Sequence, residues 1–131
     1  MRRLLFLVLT IATLACTRDD RVQMSPSKEF KAYLSVAESS GGYGIWVVNI
    51  SDLRNGTLNS MEMEEYPASL MAYISWDDEN RLWFYSSDDG RYFYWEKSEQ
   101  WTVFSWDITI TSEISPPVSL LEQTDRNRRN R

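Results

Sequence analysis

The sequence feature that most constrains the fold is the aromatic stretch RLWFYSSDDGRYFYWEK at residues 81–97. Asp89 and Gly90 separate its two arms, and both residue types accept the positive φ angles of a tight type I′ turn. The stretch is therefore predicted to be a β-hairpin. Period-two alternation assigns the side chains to faces: Trp83 and Tyr85 lie opposite Leu82 and Phe84, and Tyr92 and Tyr94 lie opposite Phe93 and Trp95.

Both faces of this hairpin are aromatic or apolar. A sheet with one face in water alternates apolar with polar residues. The hairpin is therefore either covered on both sides or exposes an aromatic face to a ligand.

Turn signals follow one another at intervals of about 8–12 residues between β-branched and aromatic runs, a pattern typical of an all-β domain. We predict an all-β antiparallel meander of about seven to eight strands. The connecting turns are SSGG, DLRNG, WDDEN and SDDG. The predicted strands are residues 30–38, 43–51, 58–66, 69–76, 81–87, 91–97 and 101–110.

The N-terminus carries Arg2 and Arg3, followed by an apolar run of about twelve residues that is too short to span a bilayer. This run ends in Thr13-Leu14-Ala15-Cys16, which resembles the lipobox of bacterial lipoproteins. The resemblance implies cleavage before Cys16, lipidation of its thiol and a lipid anchor to the membrane. Thr17, in place of the Asp that retains lipoproteins in the inner membrane, implies an outer-membrane location.

These features divide the chain into four expected segments. Residues 1–15 form a signal peptide, and residues 16–28 form a lipidated tether. Residues 29–112 form the all-β domain, and residues 113–131 form a Pro-containing, basic and disordered tail.

Two segments of the body look alike, one starting at Ser25 and the other at Ser75. Ser25-Pro26 and the strand motif Ile45-Trp46-Val47-Val48 are similar to the repeat of TolB-type β-propellers. Residues 77–80 stand in for the turn of that repeat in the second segment. The similarity covers about two blades, and propellers close with four to eight. A small sandwich, two propeller-like blades and a propeller fragment completed by self-association therefore remain open.

Charge restricts the partners. The chain has 19 acidic and 14 basic residues, and four of the arginines lie in residues 126–131. An acidic body is repelled by phosphates, so we expect no nucleic acid partner. A cationic protein or a neutral glycan fits this body better, and the oligomeric state stays open.

Residue types also restrict the chemistry. The chain has no histidine and a single cysteine, so it cannot supply a Ser-His-Asp or Cys-His arrangement or the usual zinc ligands. We expect no cofactor and no metal. Carboxylates occur in two turns, at residues 77–79 and 88–89, without the spacing of a calcium loop. We interpret them as solvated turn residues.

The leading hypothesis is a non-enzymatic envelope lipoprotein that binds another protein, for example as an inhibitor, immunity or accessory factor. Because neighbouring aromatic residues of opposite facing cannot all enter one core, we expect at least two of Trp83, Tyr92, Tyr94 and Trp101 at a surface. One alternative is a glycan-binding module that uses exposed aromatic residues, and another is a carboxylate-dependent glycosidase. The predicted binding residues are Trp83, Tyr85, Tyr92, Tyr94 and Trp101.

Overall fold

The computed structural model describes residues 22–107, 109 and 113–129, and these form eight strands and one helix. Sheet 1 contains β1 to β4 and sheet 2 contains β5 to β8, each an antiparallel meander in chain order. The all-β prediction is confirmed. The elements are β1 Gln23–Met24, β2 Phe30–Glu38, β3 Gly44–Asp52, β4 Leu58–Pro67, β5 Ala72–Trp76, β6 Leu82–Ser86, β7 Tyr92–Lys97, β8 Trp101–Trp106 and α1 Val118–Arg129.

The seven strands predicted from sequence are all present, and β1 is additional. β1 lies inside the stretch expected to be a tether, where Gln23 and Met24 pair with β2. The Ser25 side chain is buried and its hydroxyl accepts a hydrogen bond from the Phe30 amide. Residues 23–28 therefore belong to the fold. The predicted signal peptide, Cys16 and the start of the tether lie outside the described residues.

The two sheets pack face to face around one apolar core. Alternate residues of β2 and β3 point into it, and alternate residues of β5, β6 and β7 meet them from sheet 2. Gln23 ties the sheets together, because its side chain donates to Ile74 O and its carbonyl accepts from Trp76 Nε1. The buried residues of this core are Phe30, Ala32, Leu34, Trp46, Val48, Ile50, Tyr66, Ala72, Ile74, Trp76, Leu82, Phe84 and Trp95.

The connection before the second strand of each sheet has the same turn geometry. Lys28 N donates to Ser25 O, and Asn80 N donates to Asp77 O. Lys28 and Asn80 both adopt a positive φ, 61° and 56°. The two turns also touch, since Ser27 N donates to Asn80 Oδ1. The segments that look alike in sequence thus form equivalent parts of the two sheets.

The β6–β7 hairpin is confirmed, but its turn is not type I′. Tyr85 pairs with Tyr92, so the connection is longer than two residues. Gly90 has a φ of 72°, whereas Asp89 is not among the residues with positive φ. A type I′ turn requires positive φ at both central residues. The Asp89 carboxylate instead accepts a hydrogen bond from the Arg91 amide.

The C-terminal segment differs from the expectation of a disordered tail. Val118–Arg129 forms α1, which begins directly after Pro116-Pro117, where proline is tolerated because the missing N–H has no intrahelical partner. α1 lies on the outer face of sheet 2, the face turned away from sheet 1. Its last turn carries Arg126, Arg128 and Arg129, which favour the negative end of the helix dipole.

Candidate functional site

The aromatic residues predicted to bind a partner lie mainly beneath α1. Trp83, Tyr85, Tyr92 and Tyr94 form a second cluster on the outer face of sheet 2, and each is at most 8% exposed. The expectation that at least two of the four named aromatics are at a surface is wrong for Trp83, Tyr92 and Tyr94. Its premise of one core fails, because the helix creates a second one.

Trp101 is separated from the other four predicted binding residues. It lies on the core face at the start of β8, where its ring meets Phe30 edge to face at 5.1 Å. The ammonium group of Lys97 lies 5.9 Å from the centre of the Trp101 ring. Trp101 is partly buried, and its indole N–H has no acceptor among the described residues. It therefore does not extend the aromatic face under α1.

The aromatic face is a continuous network of rings. Trp83 contacts Tyr94 with ring centres 4.8 Å apart, and Tyr85 contacts Tyr92 at 4.9 Å. Trp106 contacts both Trp83, at 6.0 Å, and Tyr92, at 5.5 Å. Cross-strand aromatic pairs of this kind hold the hairpin and β8 in register. Sheet 2 supplies these rings, and the partly buried Ile114 of the segment before α1 also packs against them.

α1 contacts this face through few side chains. Leu120 and Thr124 are its buried residues. The Thr124 hydroxyl donates to Leu121 O at 2.9 Å, so the Tyr92 hydroxyl is the donor in the 3.0 Å bond to Thr124 Oγ1. Burial raises the pKa of Tyr92 above its ordinary value of 10.0, so this hydroxyl keeps its proton at neutral pH. A further bond joins Ser75 and Ser119 at 3.0 Å, near the start of the helix.

Open clefts lie at both ends of α1. One of about 280 Å³ separates Asn127 and Arg128 from the Asp88-Asp89 turn. Another of about 490 Å³ lies between Pro116-Pro117 and the turn that starts at Asp77. The helix therefore packs closely at Leu120 and Thr124 and loosely towards its ends.

The outer face of sheet 1 is different, because no described element packs on it. Met24 and Leu58 lie on the two edge strands of this face with 48% and 54% of their surface exposed, and the partly buried Lys31 and Ser51 lie between them in register. Ile45 and Val47 are also on this face and are buried, although neither is part of the two clusters formed by described residues. The face thus carries two exposed apolar side chains at its edges, with Lys31 and Ser51 between them and two buried apolar residues further along β3.

The buried side-chain amide of Asn49 connects three strands on the outer face of sheet 1. Asn49 is 4% exposed, and its Nδ2 donates to Ser35 Oγ at 2.8 Å on β2. Ser60 Oγ on β4 donates to Asn49 Oδ1 at 2.7 Å. The amide therefore links three strands and fixes the positions of the two hydroxyls. Polar groups held in this way are available to orient a bound partner.

The carboxylates of the turn after β5 have separate roles. Asp78 and Glu79 are exposed, as expected of turn residues, but Asp77 is buried. Its carboxylate accepts from the Arg81 side chain at 2.6 Å and from Trp83 Nε1 at 2.9 Å, and also from two backbone amides. Burial opposes ionisation of Asp77, but the donors from Trp83 and Arg81 outweigh it and hold its pKa below the ordinary value. Asp77 therefore holds the turn in shape.

Asp77 and Asp88 cannot form a glycosidase pair. They flank β6, whose five residues span roughly 16 Å. Catalytic carboxylates of glycosidases lie about 5–10 Å apart across a cleft. Asp77 also has its oxygens occupied by protein donors.

The sequence analysis missed a second buried carboxylate, Asp52. Its side chain is 1% exposed and accepts from Arg54 Nη2 at 3.0 Å and from Lys97 Nζ at 3.1 Å. Arg54 holds the pKa of Asp52 well below its ordinary value of 3.8, and Lys97 contributes in the same direction. Both cations lie over the Phe30 ring. The sequence does not indicate this ion-pair clamp of Asp52, Arg54 and Lys97 between the sheets, because Lys97 lies 45 residues from Asp52 along the chain.

Comparisons with protein-family models, with curated proteins and with solved structures each found no match. The function is therefore argued from the residues themselves. Within the described ranges, no group of three or more acidic, histidine or cysteine side chains is placed to hold a metal ion. The helix in the described part of the chain is not long and apolar enough to cross a membrane.

Proposed function

We propose that the protein is a lipid-anchored lipoprotein of the outer membrane whose β-domain binds another protein without catalysing a reaction. The lipobox resemblance at Cys16 supports the anchor. The anchor would keep an acidic domain close to an anionic membrane surface that otherwise repels it. The binding role rests on the difference between the two outer sheet faces.

The observation that carries the binding role is the pair of exposed apolar side chains, Met24 and Leu58, on the outer face of sheet 1. On sheet 2, α1 packs on the outer face and Phe104 at its edge stays 43% exposed, whereas no described element packs beside Met24 and Leu58 on sheet 1. Interfaces between proteins commonly combine an apolar centre with a polar rim and fixed hydrogen-bonding groups. The Asn49 amide, with the Ser35 and Ser60 hydroxyls, supplies such groups on the same face.

A basic partner fits this surface best. β4 borders the face and carries exposed glutamates at positions 62, 64 and 65, which outnumber the partly buried Lys31 on β2. The whole chain has a formal net charge of −5, so a cationic partner is attracted over distances beyond contact. Charge complementarity of this kind speeds association and selects partners.

The glycan-binding alternative loses most of its support. It relied on an exposed aromatic platform, and four of its five residues are buried. The exposed aromatic residues Tyr43 and Phe104 lie on different sheets, in the β2–β3 turn and on β8. A glycosidase has less support still, because Asp77 and Asp88 flank β6.

Site-specific photo-crosslinking in cells tests the binding surface. A benzoylphenylalanine replaces Leu58 on the outer face of sheet 1, and in a matched strain it replaces Val103 on β8, which is similarly exposed at 51% against 54%. We expect one discrete adduct from position 58, lost when Ser60→Arg is added, and none from position 103. Identical adducts from both positions, or none from position 58, would contradict the proposal.

The anchor is tested separately with Cys16→Ser. We expect this variant to leave the membrane fraction and to lose incorporation of labelled palmitate. A variant of the neighbouring residue, Thr17→Ser, keeps both properties. Retention of Cys16→Ser in the membrane fraction would show that the anchor assignment is wrong, whatever the crosslinking shows.

A further inference from the structure

α1 fits its own docking site poorly. The outer face of sheet 2 offers a network of aromatic rings, yet the helix places one apolar side chain, Leu120, fully against it. Leu121 and Val118 point away, with 37% and 70% of their surface exposed. A twelve-residue helix is marginal on its own and depends on its docked face. A helix held by one leucine and by the hydrogen bonds of Thr124 and Ser119 is therefore open to competition.

The inward positions of α1 show what a better ligand would carry. Leu120, Gln123, Thr124 and Asn127 follow the i, i+3, i+4, i+7 spacing of one helix face. Of these four, only Leu120 is apolar. Apolar residues in place of Gln123 and Asn127 would meet the rings that α1 covers only with polar groups.

The charges at the two ends of the face under α1 favour a positively charged ligand. Asp88, and Asp89 with its Arg91 partner, stand at the end where α1 places Arg128, across the cleft of about 280 Å³. Asp78 and Glu79 line the cleft at the other end, beside Pro117. Acidic groups at both ends, on an acidic body, attract a cationic segment.

We propose that the outer face of sheet 2 is a helix-binding groove, and that α1 is a weak internal ligand which a basic amphipathic helix of a partner protein displaces. The partner helix carries apolar residues at the four inward positions and arginines or lysines towards its end. Helix-in-groove recognition of this kind depends on a few apolar anchors. α1 and the partner compete for one face. The apparent affinity for the partner is therefore the intrinsic affinity multiplied by the fraction of molecules in which α1 is undocked.

This groove is distinct from the outer face of sheet 1 and does not rest on the function proposed for that face. The crosslinking experiment at position 58 reads sheet 1 alone. Failure there would leave the groove intact, and failure of the experiment below would leave the sheet 1 proposal intact.

A disulfide that locks α1 in place provides the test. The Oγ atoms of Ser75 and Ser119 are 3.0 Å apart, so Ser75→Cys with Ser119→Cys places two thiols within bonding reach. The full-length chain also carries Cys16→Ser, so that the new thiols are the only ones. The probe is a fluorescein-labelled peptide of residues 118–129 with Gln123→Leu and Asn127→Leu, followed by fluorescence anisotropy. The unmodified peptide of the same residues is the control.

We expect the modified peptide to bind the reduced protein, with affinity at least about tenfold lower for the oxidised protein, in which α1 cannot leave. The unmodified peptide binds the reduced protein more weakly than the modified one. A second variant, Leu120→Asp, releases α1 without a disulfide and is expected to bind the modified peptide more tightly than the wild type. Equal binding to oxidised and reduced protein overturns the proposal, and so does absence of saturable binding to both the reduced protein and Leu120→Asp.

Discussion

Replacing Leu120 with alanine separates two descriptions of α1. If the helix is an integral part of the core, Leu120→Ala destabilises the whole domain. If the helix is a separately docked unit, the substitution weakens docking and leaves the two sheets almost as stable as before. The structure favours the second outcome, because Leu120 contacts only the aromatic face of sheet 2 and not the core between the sheets.

The magnitude follows from the buried surface. Leu120 is 0% exposed, and Leu→Ala removes about three carbon groups at about 0.8 kcal/mol each. The loss in docking free energy is therefore about 2 kcal/mol, which is about thirtyfold in the opening equilibrium. The remaining bonds, Tyr92 to Thr124 and Ser75 to Ser119, contribute about 1 kcal/mol each at most. Among these three contacts of α1, Leu120 thus supplies about half or more of the free energy.

Hydrogen–deuterium exchange measures the opening of α1, and urea unfolding measures the stability of the sheets. We expect amides of residues 118–129 to exchange about thirtyfold faster in Leu120→Ala, with β6 amides and the urea midpoint nearly unchanged. The matched control is Ile74→Ala, also 0% exposed but in the core between the sheets, which should lower global stability by about 2–5 kcal/mol. If Leu120→Ala lowers the urea midpoint as much as Ile74→Ala, α1 is not a separate unit and the reasoning fails.

Three further predictions concern the sheets. Asp52→Asn should destabilise the domain at neutral pH: the pKa of Asp52 is lowered in the fold, so its contribution is present above about pH 4 and is lost as the pH falls further. The difference in urea midpoint between wild type and variant should therefore shrink steadily as the pH falls from about 4 to about 2, and a constant difference would contradict this. Gly90→Ala should lower the free energy of unfolding in urea by about 1 kcal/mol, because the φ of 72° strains an alanine even though its Cβ would meet nothing within 4 Å. Gly90→Asn should cost less, because asparagine tolerates positive φ better. Equal losses would argue against backbone strain. Trp83→Phe removes a donor from the buried Asp77 carboxylate and should lower the free energy of unfolding by about 1.5–3 kcal/mol. Trp101→Phe should cost less, because the Trp101 indole N–H has no acceptor among the described residues. The reverse order would show that Asp77 does not depend on Trp83.

The strands could be predicted from sequence because their signals are local. Alternation assigns Trp83 and Tyr85 to one face and Leu82 and Phe84 to the other, and the structure confirms both assignments. Turn residues at regular intervals marked the ends of the strands. The turn at Asp89-Gly90 was harder, since its type depends on how many residues the paired strands leave between them, and pairing is a tertiary property.

Contacts between residues far apart in the chain could not be predicted from the sequence. The clamp at Asp52 needs Lys97 from the opposite sheet, and the burial of Asp77 needs Trp83 to turn its indole towards the preceding turn. Each residue looks like an ordinary exposed turn or strand end in the sequence. The exposure of the aromatic face was misjudged for a related reason, because it depends on a helix that the sequence hardly signals.

The weak sequence signal of α1 and its proposed displacement have the same physical origin. A helix that buried three or four apolar residues would show the spacing i, i+3, i+4, i+7 in its sequence, and it would also dock too firmly to be exchanged. α1 shows one apolar inward residue and was therefore expected to be disordered. Because α1 makes few contacts, its docking free energy is small enough for a competing helix to exceed it. One ligand displaces another only by the difference in their affinities for the site. A face as aromatic as that of sheet 2 would be a liability if left open in water. A weakly held cover both protects it and leaves it available.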